Sequence, residues 1–532
     1  MDRISVFVRR QRIKKLEIWT MRAILVEAFF VAIFPGIASA AVMLGIIAWF
    51  FRLQIDSKFK MRTLPFDIPA AIFFTLGAIS VFCSSARNFE LIYNYCGIVG
   101  IYFLTYILVG QNIRTPEQVK MLAKALAASA FIVVMCGYFQ YIFGVDISDM
   151  KWVDGEAFPE LRKRVFSTLE NPNILAGYLD VMICLALGVF AKITGRTRKS
   201  IFIVAIAMLT ACLAMTYSRG AFLTLAIIFV VYGFLQDWRI LILFAILTGL
   251  IIYNDANFLD RILSIFTETT DSSEGLRIGI WVSTISMIAD HPFIGVGWGA
   301  YKAVYPQYNY YLADPDIVIY HAHNLFLQTA AEVGIVGMLA FFWYFFGTMF
   351  MSLALGKNER YEKIKTGTTN TFREKIYQRL ANVFVTSNFL QTLARSKSLM
   401  SNRLADFFHS VMDKFSFGAK EKNLDTEKKS DAELVHHEEM KWNKNKKNSD
   451  KDDDDKMDLQ RFAEKDIQAE LHEKIFIADT KIVEGLRLGI GLAFLSMALN
   501  GMSDDLLFNI PSSILMWQLG ALGAAINIMT EE

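Results

Sequence analysis

HAHNLFLQTAAEVGIVGMLAFFWYFFGTMF, residues 321–350, is the stretch that decides the fold. From Leu325 to Phe350 it is strongly apolar, and as a helix it is long enough to cross a hydrocarbon core of about 30 Å. A long polar, aromatic-rich segment precedes it, so residues 321–324 stand where a membrane helix should meet water. Two of those four are His321 and His323. Imidazole is the side chain best suited to move protons near neutral pH. Its place at a helix mouth points to chemistry at the bilayer surface rather than passage through it.

Working outward, the same pattern repeats along the chain. The 532 residues are 54% hydrophobic and 14% aromatic, and several other apolar runs approach the membrane-spanning length. The composition therefore predicts an all-α, polytopic integral membrane protein. Spans are expected near 67–85, 91–111, 120–143, 172–191, 201–216, 220–236, 240–254, 322–350, 483–500 and 511–528. The apolar run Ala23–Phe51 is interrupted at Pro35-Gly36 and flanked by basic residues on both sides (Arg9, Arg10, Arg12, Lys14, Lys15; Arg52, Lys58, Lys60, Arg62). It reads as a tight hairpin of two short helices rather than one kinked helix, which brings the expected total to about twelve. A secretory signal would have a shorter apolar core and a small-residue cleavage site.

The net charge of +2 says nothing about partners, because the charges are unevenly placed. Alternation of the spans puts Arg114/Lys120, Lys192/Arg196/Arg198/Lys199 and Arg239 on the cytoplasmic side, as the positive-inside bias requires. Membrane lipids are the expected surroundings, and no nucleic-acid partner is expected. All five cysteines lie in apolar stretches, so neither a disulfide framework nor a cysteine metal site is implied. The organisation is a membrane core over 1–355, a cytoplasmic insert over 356–482 and a C-terminal transmembrane hairpin over 483–532. Within the insert, 361–415 alternates apolar and basic positions, as helices on an anionic leaflet do. Residues 418–458 have the composition of a disordered linker. Its Asp450–Lys456 run resembles a protease-cleavage tag, and an acidic low-complexity linker is an equal reading; His436 and His437 there are read as solvated.

The other side receives the loop 144–170, a tight turn at 217–219 and the large loop 255–321. Three groups stand out there. Arg219, in Tyr217-Ser218-Arg219-Gly220-Ala221, is either a snorkelling helix-end arginine or, beside a glycine that admits close approach, a grip for a phosphate. Arg277 lies in a segment whose spacing with Ile278, Trp281, Ile285 and Ile288 fits an interfacial helix; an ordinary polar-face arginine is the competing reading. His321 and His323 complete the set. An HxH pair can bind a metal, yet no third ligand is evident beyond Asp314 and Asp316, and Asp314-Pro315-Asp316 is first of all a turn signal. Neither a metal nor another cofactor is expected. His291, before Gly295-Val296-Gly297-Trp298-Gly299, reads as structural. Lys151, Arg162, Lys163 and Arg164 breach the positive-inside pattern on the external side.

His323-Asn324, nine residues and then Gly334-Ile335-Val336-Gly337 resembles the signature of bacterial O-antigen ligases. Ser218-Arg219-Gly220, Arg277 with Trp281, His291-Pro292 with Gly295-Val296-Gly297, and Asn171-Pro172-Asn173 leading into Leu175-Ala176-Gly177-Tyr178 are similar to the O-antigen ligase/polymerase superfamily. The resemblance covers about 65–350, with 483–528 as a final helix pair, and the 356–482 insert departs from it. It implies a GT-C-like membrane glycosyltransferase with a large external loop. Such enzymes move a glycan from undecaprenyl pyrophosphate to an acceptor hydroxyl at the outer, periplasmic face of the inner membrane, without metal. His323 would be the general base and Arg219 and Arg277 the phosphate-charge stabilisers. Arg162, Arg164, Asn324 and His321 would bind substrate. The His-Asn…Gly-x-x-Gly pattern favours ligation to lipid A-core over extension of a glycan chain by a polymerase. A transporter or flippase is the outside alternative, suggested by Glu27 and Asp180 within apolar spans.

Overall fold

The computed structural model describes residues 2–144, 164–254, 273–310, 318–354, 480–504 and 509–531. The chain begins with a helical hairpin. Helix α1 (Asp2–Phe30) and helix α2 (Pro35–Ile55) are joined by a four-residue turn, with Pro35 at the first helical position, where its missing N–H costs nothing. The two run antiparallel: the Arg9 guanidinium donates twice to the Ile55 carbonyl at 2.9 and 2.7 Å. The hairpin is thus observed, though α1 is 29 residues long rather than short.

The rest of the core follows the apolar runs. It comprises α3 (Asp67–Cys83), α4 (Phe89–Asn112, with a π-helical turn at Tyr95–Val99), α5 (Pro116–Phe143), α6 (Pro172–Lys192), α7 (Arg196–Ala214), α8 (Arg219–Leu235) and α9 (Arg239–Asn254). Then come α10 (Ser273–Asp290), the short α11 (Tyr301–Val304), α12 (Leu325–Leu353), α13 (Thr480–Gly501) and α14 (Ile510–Glu531). No strand occurs among the described residues. Eight of these helices (α2, α4, α5, α6, α7, α12, α13 and α14) are long and apolar enough to cross a membrane, and α3, α8 and α9 are shorter apolar helices. The fold is polytopic and all-α.

The surface is that of a protein solvated by lipid. Large apolar side chains such as Leu44, Phe131, Phe139 and Phe143 point outward, while Glu27, Asp180 and Arg487 are buried. Inside, an aromatic stack of Tyr344 on Trp517 (ring centroids 4.2 Å) joins Tyr106, Phe73 and Phe74. Helices α6 and α13 approach until Gly188 meets the backbone of Gly485 and Gly489, leaving no room for a Cβ. Small residues let membrane helices gain contact area where no hydrophobic effect drives them together.

A second, smaller core lies outside this bundle. Ile280 and Met287 of α10 pack with Val296, Tyr301, Tyr305 and Tyr308, and against Ala322 and Ala331. This is the described part of the large loop: a cap with its own buried centre, seated on the mouth of α12. The remainder of that loop, the 145–163 segment and nearly all of the 356–482 insert lie outside the described residues.

Candidate active site

Helix α12 begins at Leu325, later than expected, because the residues before it are committed to a turn. Asn324 is extended, and its Oδ1 accepts from the N–H groups of Phe326 and Leu327, both at 3.0 Å, satisfying two donors that the helix start would otherwise orphan. His323 lies in the left-handed region (φ 49°), a conformation that L residues other than glycine adopt at a cost of about 1–2 kcal/mol. Helix geometry is therefore impossible at that position. The turn is held there by neighbours. The Ala322 N–H donates to Gln328 Oε1 (2.8 Å), the Ala322 carbonyl accepts from the Trp281 indole N–H (3.0 Å), and Asn324 Nδ2 donates to the Met502 carbonyl (3.1 Å).

Each anchor comes from a different part of the molecule. Trp281 is one helical turn after Arg277, so the two share a face of α10, and the bond that fixes Trp281 to the turn brings Arg277 with it. Arg277 acts electrostatically on His321. Met502 belongs to the turn after α13, where Asp504 Oδ1 stands 3.7 Å from His323 Nδ1, both side chains about one-third exposed. Arg219 opens α8 two residues after Tyr217, which is also left-handed (φ 52°). The next residue, Gly220, packs against Ser503 Oγ, and Thr224 Oγ1 donates to Asn500 Oδ1 (3.2 Å). The three sequence-derived groups thus converge on one end of the bundle, around the 500–504 turn.

His321 is half-buried. Its ring centroid lies 4.1 Å from that of His323, and its Nδ1 accepts the His323 backbone N–H (3.2 Å). Burial, and then the neighbouring His323, push it down to about 4, so His321 is neutral at physiological pH. It has a fixed, uncharged place beside the candidate base.

The glycine spacing behind His323 also acquires a reason. Gly334 is in a left-handed conformation (φ 80°) and kinks α12, so backbone groups of residues 331–335 are free to bond outside the helix. The cap fills that gap. Val296 N–H donates to Ala331 O (2.8 Å), Gly297 N–H to Glu332 O (3.1 Å), and Ile335 N–H to Pro292 O (2.8 Å). A Cβ on Gly334 would collide with the Phe293 carbonyl, and one on Gly295 with the Glu332 carbonyl. The buried Glu332 carboxyl group faces the backbone of Gly299 and Tyr301 and the side chain of Gln328, the residue that holds Ala322. The two glycine motifs are halves of one joint.

Residues 181–342 match the sequence family described as O-antigen ligase. The match supports a likeness of this segment to the O-antigen ligase superfamily. Curated proteins give no match. The matched segment runs from α6 into α12 and contains Arg219, Arg277, His323 and both halves of the glycine joint. Just ahead of the matched segment, the Asn171-Pro172-Asn173 motif is a helix start: Asn171 caps α6 and Pro172 occupies its first position. Arg164 is held internally, donating to Thr216 O and to Asn173 Oδ1, each at 2.7 Å, and so ties the loop before α6 to the turn before Arg219. Lys151, Arg162 and Lys163, and Asp314 and Asp316, lie outside the described residues. Asn324 has both ends of its amide occupied by backbone, as the helix cap and the pin to Met502, so its place in the site is that of a support.

Asp504 is the residue that sequence reading misses. It sits in Asn500-Gly501-Met502-Ser503-Asp504, between the last two apolar runs, and counting spans would have put that turn on the same face as His323. It also supplies the third ligand that an HxH pair seemed to lack. His321, His323 and Asp504 each place one ligand atom within 4.8 Å of the others. Deeper in the bundle, Asn500 Nδ2 donates to Asp180 Oδ2 (2.8 Å), so Asp180 braces the same turn from below.

Proposed function

We propose that the protein is an O-antigen ligase-like glycosyltransferase. It would transfer a glycan from undecaprenyl pyrophosphate to an acceptor hydroxyl, lipid A-core being the acceptor favoured, at the outer, periplasmic face of the bacterial inner membrane. The observation that carries this reading is the His323–Asp504 pair, held by three anchors on the face that also bears Arg219 and Arg277.

The chemistry follows from the arrangement. With Nδ1 turned toward a carboxylate, His323 presents Nε2 to a substrate, the division of labour by which a carboxylate–histidine pair makes a directed base. His323 takes the proton of the acceptor hydroxyl as its oxygen bonds to the anomeric carbon. The bond from that carbon to the pyrophosphate oxygen breaks, and undecaprenyl pyrophosphate leaves. Negative charge grows on the leaving oxygens, where fixed guanidinium groups stabilise it more than in the ground state. Arg219 and Arg277 supply those groups. The exposed apolar stripe of α10 (Ile278, Val282, Ile285) suits a helix lying at the interface, where a lipid-linked donor would present its headgroup.

Reconstitution in liposomes with undecaprenyl-pyrophosphate-linked glycan and lipid A-core tests the reading. Ligation to lipid A-core is the expected product, whereas growth of the glycan on its carrier would assign the polymerase reaction instead. His323→Ala should lower transfer by roughly 10²–10⁴-fold, the usual worth of a general base, with the thermal midpoint unchanged. Full activity in that variant overturns the assignment.

A further inference from the structure

We propose that His321, His323 and Asp504 form a binding site for a divalent transition-metal ion of the zinc class, and that an ion bound there switches the site off. The binding half stands on geometry alone; the switching half rests on the reading of His323 as the base.

Two imidazoles and one carboxylate are the ligand set that zinc-class ions take, with legs of about 2.0–2.2 Å and an open fourth position. Legs of that length at a tetrahedral angle leave ligand atoms about 3.4 Å apart. The His323 Nδ1 to Asp504 Oδ1 separation, 3.7 Å, is already close to such an edge. The His321 ligand atom lies within 4.8 Å of both, so closing the set takes a small ring movement. The spacing arises from the fold: the left-handed His323 backbone brings the two rings of an HxH pair to 4.1 Å at an interplanar angle of 56°. Asp504 reaches them because Asn324 pins the turn that carries it. All three side chains are partly exposed, which leaves an entry path and a place for water as the fourth ligand. The positive charge of Arg277 beside His321 opposes a dication, so the site should bind reversibly, and weaker than a dedicated structural zinc site.

Occupancy has a direct chemical consequence. Either nitrogen of His323 engaged by the ion, or Asp504 drawn away from it, removes the oriented lone pair that a hydroxyl proton needs. The ion adds no bond to the substrate and changes no oxidation state; it competes with the proton.

The test uses the full-length protein in detergent, with His436 and His437 changed to alanine to remove a competing histidine pair. Titration with Co²⁺ should give the visible absorption of a low-coordinate nitrogen/oxygen site at one ion per chain, displaced by Zn²⁺. His321→Gln and Asp504→Asn should each weaken binding at least tenfold while keeping the wild-type thermal midpoint. Zn²⁺ should slow transfer, and a chelator should restore it. Binding that is absent, or unchanged in both variants, overturns the site. Stoichiometric binding without slower transfer overturns the switch, and the His323→Ala result then shows separately whether the base assignment falls with it.

Discussion

The bundle and the cap are built by opposite means. In the bundle, aromatic and aliphatic side chains fill the centre, and backbone hydrogen bonds stay within each helix, as lipid surroundings demand. In the cap, three tyrosines share the centre with small and aliphatic residues, and polar groups pair inside it: Thr284 Oγ1 with Tyr301 OH at 2.7 Å, and Tyr308 OH with Asp290 Oδ2 at 2.9 Å. Burial and the Asp290 carboxylate push Tyr308 up to about 12, so that hydroxyl keeps its proton and remains a donor. The candidate site lies at neither centre. His323 stands on the seam, where the bundle gives up helical hydrogen bonds at Gly334 and the cap takes them. The bundle supplies rigid placement and the cap supplies polar groups, and the seam needs both.

The strongest way to break this division is at the joint itself. Gly334→Val adds a side chain where Phe293 O already sits and demands a left-handed backbone from a β-branched residue. Transfer should fall by two orders of magnitude or more. Limited proteolysis should open the cap over 291–310 before the bundle, because the lost contacts belong to the seam. If cap protection and transfer both survive, the cap is not held by the kink.

Asp504→Asn sharpens the comparison from the bundle side. The side chain keeps its shape but loses the charge 3.7 Å from His323. Transfer should drop roughly 10–100-fold, the usual effect of losing a carboxylate that orients a histidine, without change in the thermal midpoint. A fall in stability equal to the fall in rate would instead make Asp504 part of the packing.

How much of this was legible in the sequence differs between the two regions in the same way. Apolar runs of membrane length announce themselves singly, so the bundle helices could be read with boundaries off by a few residues, and the N-terminal hairpin by its turn though not by the start of its first helix. His323, Arg219 and Arg277 were legible because each is a polar group of definite chemistry at the edge of an apolar run. Asp504 was not, since its meaning depends on a turn far along the chain folding back to His323. Asn324 carried a readable signal that points elsewhere: an asparagine immediately before a helical run is a cap. The basic residue Arg164 looked like a donor-capturing charge, whereas its bonds to Thr216 and Asn173 exist only once three segments meet. Spacing showed that glycines 295, 297 and 334 mattered, but not that the segments carrying them bond to each other.

A smaller effect follows from His321. Its folded-state value of about 4 lies below the ordinary 6.5, so between those values the unfolded chain binds more protons than the folded one. Stability contributed by the neutral ring is full above about pH 6.5 and declines as pH falls toward 4. Thermal midpoints should therefore drop on acidification, by the equivalent of about 1–2 kcal/mol for a half-buried ring. His321→Gln should flatten that limb of the curve. An unchanged slope would place the titration outside the seam.

The smallest change separates packing from positioning. Trp281→Phe keeps an aromatic ring on α10 but removes the N–H that reaches the Ala322 carbonyl at 3.0 Å. One such bond is worth about 1 kcal/mol, so transfer should fall about fivefold. The loss should show in the maximal rate, because the bond fixes where His323 points rather than whether substrate binds. Trp298→Phe is the matching change on the bundle side, since that ring packs edge-on against Phe73 and Tyr95, with centroids at 5.8 and 6.3 Å. It should lower the thermal midpoint while leaving the rate per folded molecule nearly intact. If the two variants behave alike, the seam is ordinary core and the turn that carries His323 is placed by packing alone.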